Sequence, residues 1–390
     1  MEFDQVVAPL SREQFLADHH GKSFLRIPGT PGRFAGLIGW DELSAILEQH
    51  RLAPPRFKLV QGGQPLDPSR YLSAGLGGTP RLDSAKFATA LAGGATLILD
   101  AAEELAPRIR ALSDSFRDVF RSGNYVNLYA GWFAQNGFDL HWDSQEAMIL
   151  QLGGRKRWQV FAPTRLHPLQ DDVEAPARPT GPPLWDGMLE DGDALYIPRG
   201  WWHMAWPVDE PSLHLTFTTV QPNGIDLARW VAATLRRHAE LREDLPALDD
   251  AAGQAARIAS LRTLMSEALS DDLIATFRRQ WEAESFPRTR VNLPGGPYQQ
   301  LAALTDASKV RLGGAHKLAF ATIGANAEFV AGGKLYVVPA DLVPALALLS
   351  DTAAVPVSEL VAQVKPERAA DLRKALAVLA RAGVFLVEQD

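Results

Sequence analysis

Cysteine is absent from all 390 residues. Disulfides and thiolate metal sites are thereby excluded, and any metal must be held by histidine and carboxylate. Long apolar runs are missing too. No stretch approaches the ~18 uninterrupted apolar residues of a transmembrane helix. The first residues, Met1-Glu2-Phe3-Asp4-Gln5, lack a basic region followed by an apolar one, so no secretory signal is expected. Excess positive charge is also lacking: the net charge is −7, which makes no electrostatic case for broad nucleic-acid binding. There is no internal repeat and no low-complexity tract. What remains is 46% hydrophobic and 22% charged, long enough for two or three domains with a sizeable core. The expectation is a cytoplasmic protein.

The texture changes along the chain. Residues 1–122 mix helix and strand signals. Ser11 reads as an N-cap with Glu13 near the capping-box position. Residues 40–47 and 106–120 have helical apolar spacing, and 57–60 and 95–99 read as strands. Residues 123–225 hold short strands punctuated by Gly, Pro and Asp, at 125–130, 147–152, 158–161, 194–197 and 213–220. Regular short strands of this kind predict a sandwich or barrel. Within them, 168–185 is a Pro-rich loop, and long loops of this sort are often functional. Residues 226–297 are helical (227–238 and 255–284) and end in a Pro/Gly-rich linker at 287–297. Residues 298–390 alternate weak strands with helix-like runs, the last at 368–381, followed by Gly383 as a C-cap and a strand at 384–387. The fold class expected is α+β: a double-stranded β-helix (jelly-roll) core, a helical region, and a C-terminal winged-helix-like module.

Two stretches carry the chemistry. Asp139-Leu140-His141-Trp142-Asp143 places a histidine and a carboxylate two apart, which in a strand puts both on one face and Trp142 on the other. Tyr196-Ile197-Pro198-Arg199-Gly200-Trp201-Trp202-His203 supplies a second imidazole on a separate strand-like run, after the acidic turn Glu190-Asp191-Gly192-Asp193. Two imidazoles and one carboxylate suit non-haem Fe(II) and leave positions open for a co-substrate and dioxygen. Zn(II) would accept the same ligands. Bringing His203 to the pair requires a sheet that folds over. An isolated His-x-Asp is more often a core histidine beside a turn carboxylate, so the surrounding residues decide. Asn127 and Tyr129 share a face in an otherwise apolar strand, and a buried amide needs a partner. Alternation groups Lys156 with Trp158 and Val160, which makes Lys156 a buried ammonium that a dicarboxylate would pair. The competing reading is a solvated turn lysine. His214, Thr216 and Thr218 alternate with Leu215 and Phe217 and give a polar inner face; for Thr218 an ordinary half-solvated strand is the better reading.

With these motifs in place, residues 124–221 resemble a JmjC domain, a cupin-type oxygenase barrel, and within it the ribosomal-oxygenase branch. His141-Trp142-Asp143 followed by Ile149-Leu150-Gln151-Leu152-Gly153-Gly154-Arg155-Lys156-Arg157-Trp158 is similar to that branch's HxD…LQLxGxKxW pattern, and 196–203 to its YIPxGWxH pattern. The resemblance implies that His141, Asp143 and His203 bind Fe(II). It implies that Lys156 and Asn127 hold the far carboxylate of 2-oxoglutarate, with Tyr129 lining the same pocket. His214 and Thr216 are added from the polar inner face. Where the branch commonly has Tyr between His and Asp, this chain has Trp142. The implied activity is hydroxylation of an amino-acid side chain in a protein or peptide, with O2 as oxidant. A precursor peptide is the alternative substrate, and a non-catalytic cupin adaptor the rival class. Demethylation begins with the same hydroxylation.

Other features are assigned more ordinary roles. Trp201, Trp202 and Trp206 are expected to pack, and the adjacent His19 and His20 to lie on the surface. The apolar stripes of 226–285 suggest a homodimer interface. Residues 340–390 hold seven acidic and five basic residues, so the last module is expected to contact protein rather than nucleic acid.

Overall fold

Alternation decides the centre of the fold. Along Gly123–Gly131, Val126, Leu128 and Ala130 are buried on one face, while Tyr125, Asn127 and Tyr129 share the other. Ser212–Val220 pairs with it antiparallel over its whole length, setting His214 opposite Tyr129 and Thr216 opposite Asn127. The computed structural model describes residues 1–133, 139–172, 177–208, 210–285, 304–313, 318–349 and 353–388. The linker expected at 287–297 lies outside them.

The chain divides into two compact units, Met1–Val220 and Gln221–Asp390. In the first, the strands are β1 (Leu25–Ile27), β2 (Phe57–Gln61), β3 (Gln64–Pro65), β4 (Leu72–Ala74), β5 (Pro80–Leu82), β6 (Thr96–Leu99), β7 (Gly123–Gly131), β8 (Glu146–Gly153), β9 (Lys156–Phe161), β10 (Trp185–Leu189), β11 (Ala194–Ile197), β12 (Trp202–Pro207) and β13 (Ser212–Val220). An eight-stranded sheet runs β1-β11-β8-β13-β7-β6-β2-β3, and a three-stranded sheet runs β10-β9-β12. The two inner faces meet over Ala147, Ile149, Trp158, Val160, Leu189, Leu195 and Ile197. This is the folded-over, double-sheet arrangement that the two histidine segments require.

The rear of the large sheet is covered by helices. Pro107–Phe120 buries Ile109, Leu112, Phe116 and Phe120, and Phe116 stacks on Phe217 of β13 with centroids 4.8 Å apart. Burying one such ring contributes roughly 2 kcal/mol. Arg12–Asp18 starts at Ser11, whose hydroxyl accepts from the Gln14 N–H; the reciprocal bond comes from Gln14, not Glu13. His20 is not a surface residue. It is half-buried, 2.9 Å from Glu146 and stacked on Phe120. Glu146 also accepts from the Tyr196 hydroxyl at 2.6 Å, so this cluster ties the N-terminal segment to the start of β8.

The second unit begins with helices Gly224–Thr234, Ala251–Ala268 and Leu273–Glu284. The single helix expected at 255–284 is broken at Ser270 and Asp272, whose side chains bond each other at 2.7 Å. Such short polar side chains compete with the helical ladder. Three further antiparallel strands, β14 (Lys309–Leu312), β18 (Val355–Pro356) and β19 (Phe385–Glu388), form one sheet, and β15 (Ala321–Ile323), β16 (Asn326–Ala331) and β17 (Lys334–Pro339) another. The helix Ala369–Arg381 buries Leu372, Leu376, Leu379 and Ala380 against their core. Among the described residues, no helix is long and apolar enough to cross a membrane.

Candidate active site

The His141–Asp143 segment is not a strand. His141 makes a single bridge with His203 of β12, each N–H donating to the other's carbonyl at 3.1 and 2.8 Å. Asp143 follows in irregular backbone whose carbonyl accepts from the Gly200 N–H at 2.9 Å. Gly200 has φ +83° and sits against Pro168, where a Cβ would lie 2.4 Å from its Cδ. Only glycine meets both demands, and the turn it makes returns the chain from β11 into β12 with His203 facing inward.

His141, Asp143 and His203 therefore converge. One ligand atom from each falls within 4.8 Å of the others, and among the described residues this is the one such cluster. His203 Nε2 lies 3.5 Å from Asp143 Oδ2. The two rings are oriented alike: Nδ1 of His141 meets the Asp139 carbonyl at 2.7 Å, and Nδ1 of His203 meets the Trp201 carbonyl at 3.1 Å. A carbonyl accepts only from N–H, so each ring carries its proton on Nδ1 and offers the Nε2 lone pair inward. Burial and the neighbouring His141 push the His203 imidazole down to about 4, against the pull of Asp143. A neutral imidazole is the form that binds metal.

Behind the cluster lies a cavity of about 210 Å³ between the two sheets. Tyr129, Lys156, His214 and Thr216, all expected from the sequence, line it. Lys156 is buried, and among the described residues it has no ion-pair partner; its ammonium lies 6.0 and 5.6 Å from the Tyr129 and Trp158 ring centroids. Burial pushes it down to about 8. His214 stacks flat on Tyr129 (4.8 Å, 4°) and is held neutral by burial and by Lys156. A register shift between Leu213 and His214 sets this residue's facing, as bulges beside functional sites often do. Burial, and secondarily Asp143, keeps the Tyr129 phenol protonated. Asn127 shares this face but does not line the cavity. It bonds Tyr129, and among the described residues its buried Oδ1 has no partner. Thr218 bonds Tyr125.

Sequence reasoning did not single out Thr96, Ala147, Ile149, Trp158 or Ala205, which also line the cavity. Trp158 was within reach, since it shares the alternation of Lys156. Thr96 was not: it comes from β6, in the segment that reads as a mixture of helix and strand signals ahead of the barrel strands.

The donor set suits a divalent first-row metal with open positions. A buried ammonium without an anion beside it suits a carboxylate ligand. Comparison with known proteins agrees with this chemistry. Residues 104–227 match the family described as the JmjC domain. It is 30% identical over 231 residues to a Drosophila persimilis "bifunctional lysine-specific demethylase and histidyl-hydroxylase NO66", covering 56% of this chain and 31% of that protein. It is 31% identical over 254 residues to Gallus gallus "ribosomal oxygenase 1", covering 62% and 40%. The chain thus spans well under half the length of these curated relatives. Escherichia coli ycfD shares the fold across 97% of this chain and 99% of its own, at 20% identity and a TM-score of 0.62. A structure of that protein with cobalt and 2-oxoglutarate superposes with a TM-score of 0.60 at 19% identity, covering 98% and 99%.

Proposed function

We propose that this protein is an Fe(II)- and 2-oxoglutarate-dependent oxygenase that hydroxylates an amino-acid side chain in a protein, a ribosomal protein by analogy with its relatives. The observation that carries this reading is the inward convergence of His141, Asp143 and His203 at the mouth of a cavity holding a buried lysine that has no ion-pair partner among the described residues. When bound, the iron and co-substrate supply the oxidation: 2-oxoglutarate loses CO2 to become succinate, one atom of O2 enters the succinate, and the other enters the substrate C–H bond. The chain supplies position, charge and a shielded cavity. His141, Asp143 and His203 hold the metal. Lys156 pairs the far carboxylate, with Tyr129 donating its protonated hydroxyl and Asn127 fixing that phenol. His214 and Thr216 line the same wall, and His214, neutral, adds no charge that would compete with Lys156.

Mass spectrometry of host proteins with and without the gene tests the activity. A +16 Da oxygen shift on a ribosomal protein is expected. A shift found only on a small precursor peptide would move the substrate to the peptide class, and no shift anywhere would favour a non-catalytic adaptor.

The reading extends to assembly and place. None of the 18 residues of Ala251–Ala268 is buried, and Ile258, Leu261 and Met265 form an exposed stripe continued by Leu269. In proteins most of a helix's stability comes from packing one face, and an exposed apolar stripe supports a second copy of the chain as its cover. Sedimentation at micromolar concentration should show a dimer that Leu261→Asp with Met265→Asp converts to monomer; a monomeric wild type would refute this. The small sheet β14/β18/β19 packed beside Ala369–Arg381 supports a winged-helix-like module that contacts protein. A ribosomal substrate is compatible with the cytoplasmic location expected from the sequence.

A further inference from the structure

We propose that Pro168 is a positioning residue for the metal centre: it braces the Gly200 turn, on which the placement of both Asp143 and His203 depends. The inference rests on the function proposed above and gives the Pro-rich connection between β9 and β10 a part in it. That connection touches every segment that carries a metal ligand. Arg178 pairs with the Asp139 carboxylate at 3.1 Å, and the carbonyl of the same Asp139 orients His141. Thr164 accepts from the indole N–H of Trp202, the residue before His203, at 3.0 Å, and donates in turn to the Ala177 carbonyl at 2.6 Å. Pro168 is buried against Gly200, whose N–H holds the Asp143 carbonyl at 2.9 Å.

These three ties differ in strength. Arg178 and Asp139 are both exposed, so their pair contributes little, and Thr164 is exposed as well. The Pro168 contact is the tight one. A Cβ placed on Gly200 would overlap the Pro168 ring, so the ring sits directly on the glycine. Its backing is a closed loop. Arg165 grips Asp172 with two hydrogen bonds, at 2.8 and 3.0 Å, and Asp172 also accepts from the Leu169 N–H at 3.1 Å. Between these ends His167 is held at φ +48°, a left-handed conformation uncommon outside glycine. Strain of this kind persists only where the surroundings impose it. Here it aims the next residue, Pro168, at the turn. Asp143 lies in irregular backbone with no strand ladder of its own, so the rigidity of its partner Gly200 sets its own.

The test uses the full chain and the metal alone. Pro168→Ala removes the ring carbons that face Gly200, and Asp172→Ala opens the closed loop from its far side. Each should weaken Zn(II) binding by roughly 10- to 100-fold in chelator competition, the usual cost of losing a group that orients metal ligands. The visible d–d bands of bound Co(II), which report ligand geometry, should shift in both. Pro182→Ala, at an exposed proline of the same connection, should keep wild-type affinity and bands. A merely structural Pro168 would lower the unfolding midpoint and leave the Zn(II) affinity and Co(II) bands of the folded protein unchanged. That result, or an equal loss in Pro182→Ala, overturns the assignment. Should Pro168→Ala not fold, Asp172→Ala decides in the same way. One measurement needs no variant. In metal-free wild type the Gly200 N–H should exchange with solvent as slowly as the His203 N–H of β12, because the brace is in place before the metal. Fast exchange at Gly200 beside slow exchange at His203 overturns it. If the Co(II) bands depend on His141 while both variants keep them, the brace falls alone. If the wild-type bands survive His141→Ala, the proposed function falls with it.

Discussion

Replacing His141 by alanine should abolish the visible charge-transfer band that forms when Fe(II) and 2-oxoglutarate are added anaerobically to the wild type. Succinate formation should fall by on the order of 10³-fold or more, as when one member of an interdependent catalytic unit is removed. The size of the effect follows from geometry. The metal would be held by three side chains only, and two of these, His141 and His203, are fixed by backbone carbonyls rather than by replaceable side chains. No nearby group substitutes for the lost imidazole: among the described residues no other His, Asp or Glu joins the cluster. Trp142→Tyr is the control. Trp142 does not line the cavity, so its replacement should leave the band in place. A band that survives His141→Ala, or that vanishes equally in Trp142→Tyr, would mean that the iron is bound elsewhere or that the segment tolerates no change at all.

The parts of this site that could be read in the sequence are those that local spacing controls. Lys156 was placed inside because β9 alternates, and it is 8% exposed while Arg157 beside it pairs with Asp186 in solvent. The strand 194–197 was read at its observed limits because Gly192, Asp193 and Pro198 bound a short apolar run. Other parts depend on contacts between distant segments. The convergence of His141 and Asp143 was expected from strand periodicity, but a bridge to His203 and a hydrogen bond from Gly200 achieve it. The partners of His20 are Glu146 and Phe120, far along the chain, so nothing in its neighbours revealed its burial. Strand β1 is three residues long and exists because Asp193 accepts from Arg26 and from the Gly29 N–H, both at 2.8 Å. Three residues carry too little pattern to be seen alone.

Lys156→Met is expected to have two opposite effects, and together they separate a ligand-binding lysine from a structural one. Among the described residues the buried ammonium has no anion beside it, so the metal-free protein carries its desolvation cost. Lowering its pKa from 10.5 to about 8 corresponds to about 3 kcal/mol. Methionine has similar length and no charge, so the variant should be more stable than wild type at pH 7, by about 1–3 kcal/mol in urea denaturation. The difference should shrink as pH rises. Below about pH 8 the lysine is charged in both folded and unfolded chains and the full cost applies. Between about 8 and 10.5 the unfolded chain binds the proton more tightly, so wild-type stability climbs towards that of the variant. Binding should go the other way. A bound dicarboxylate pairs the ammonium, and removing one partner of a buried pair costs about 3–5 kcal/mol, so 2-oxoglutarate affinity should drop by roughly 10²- to 10³-fold while Zn(II) affinity is kept. Wild-type affinity should itself weaken above pH 8, by up to about tenfold per pH unit, because the free protein must then take up a proton to bind. The Met variant, having no such proton, should show no such decline between pH 8 and 10. Stabilisation without loss of affinity would make Lys156 a buried charge with no ligand to serve, and the co-substrate would have to be held from another wall of the cavity.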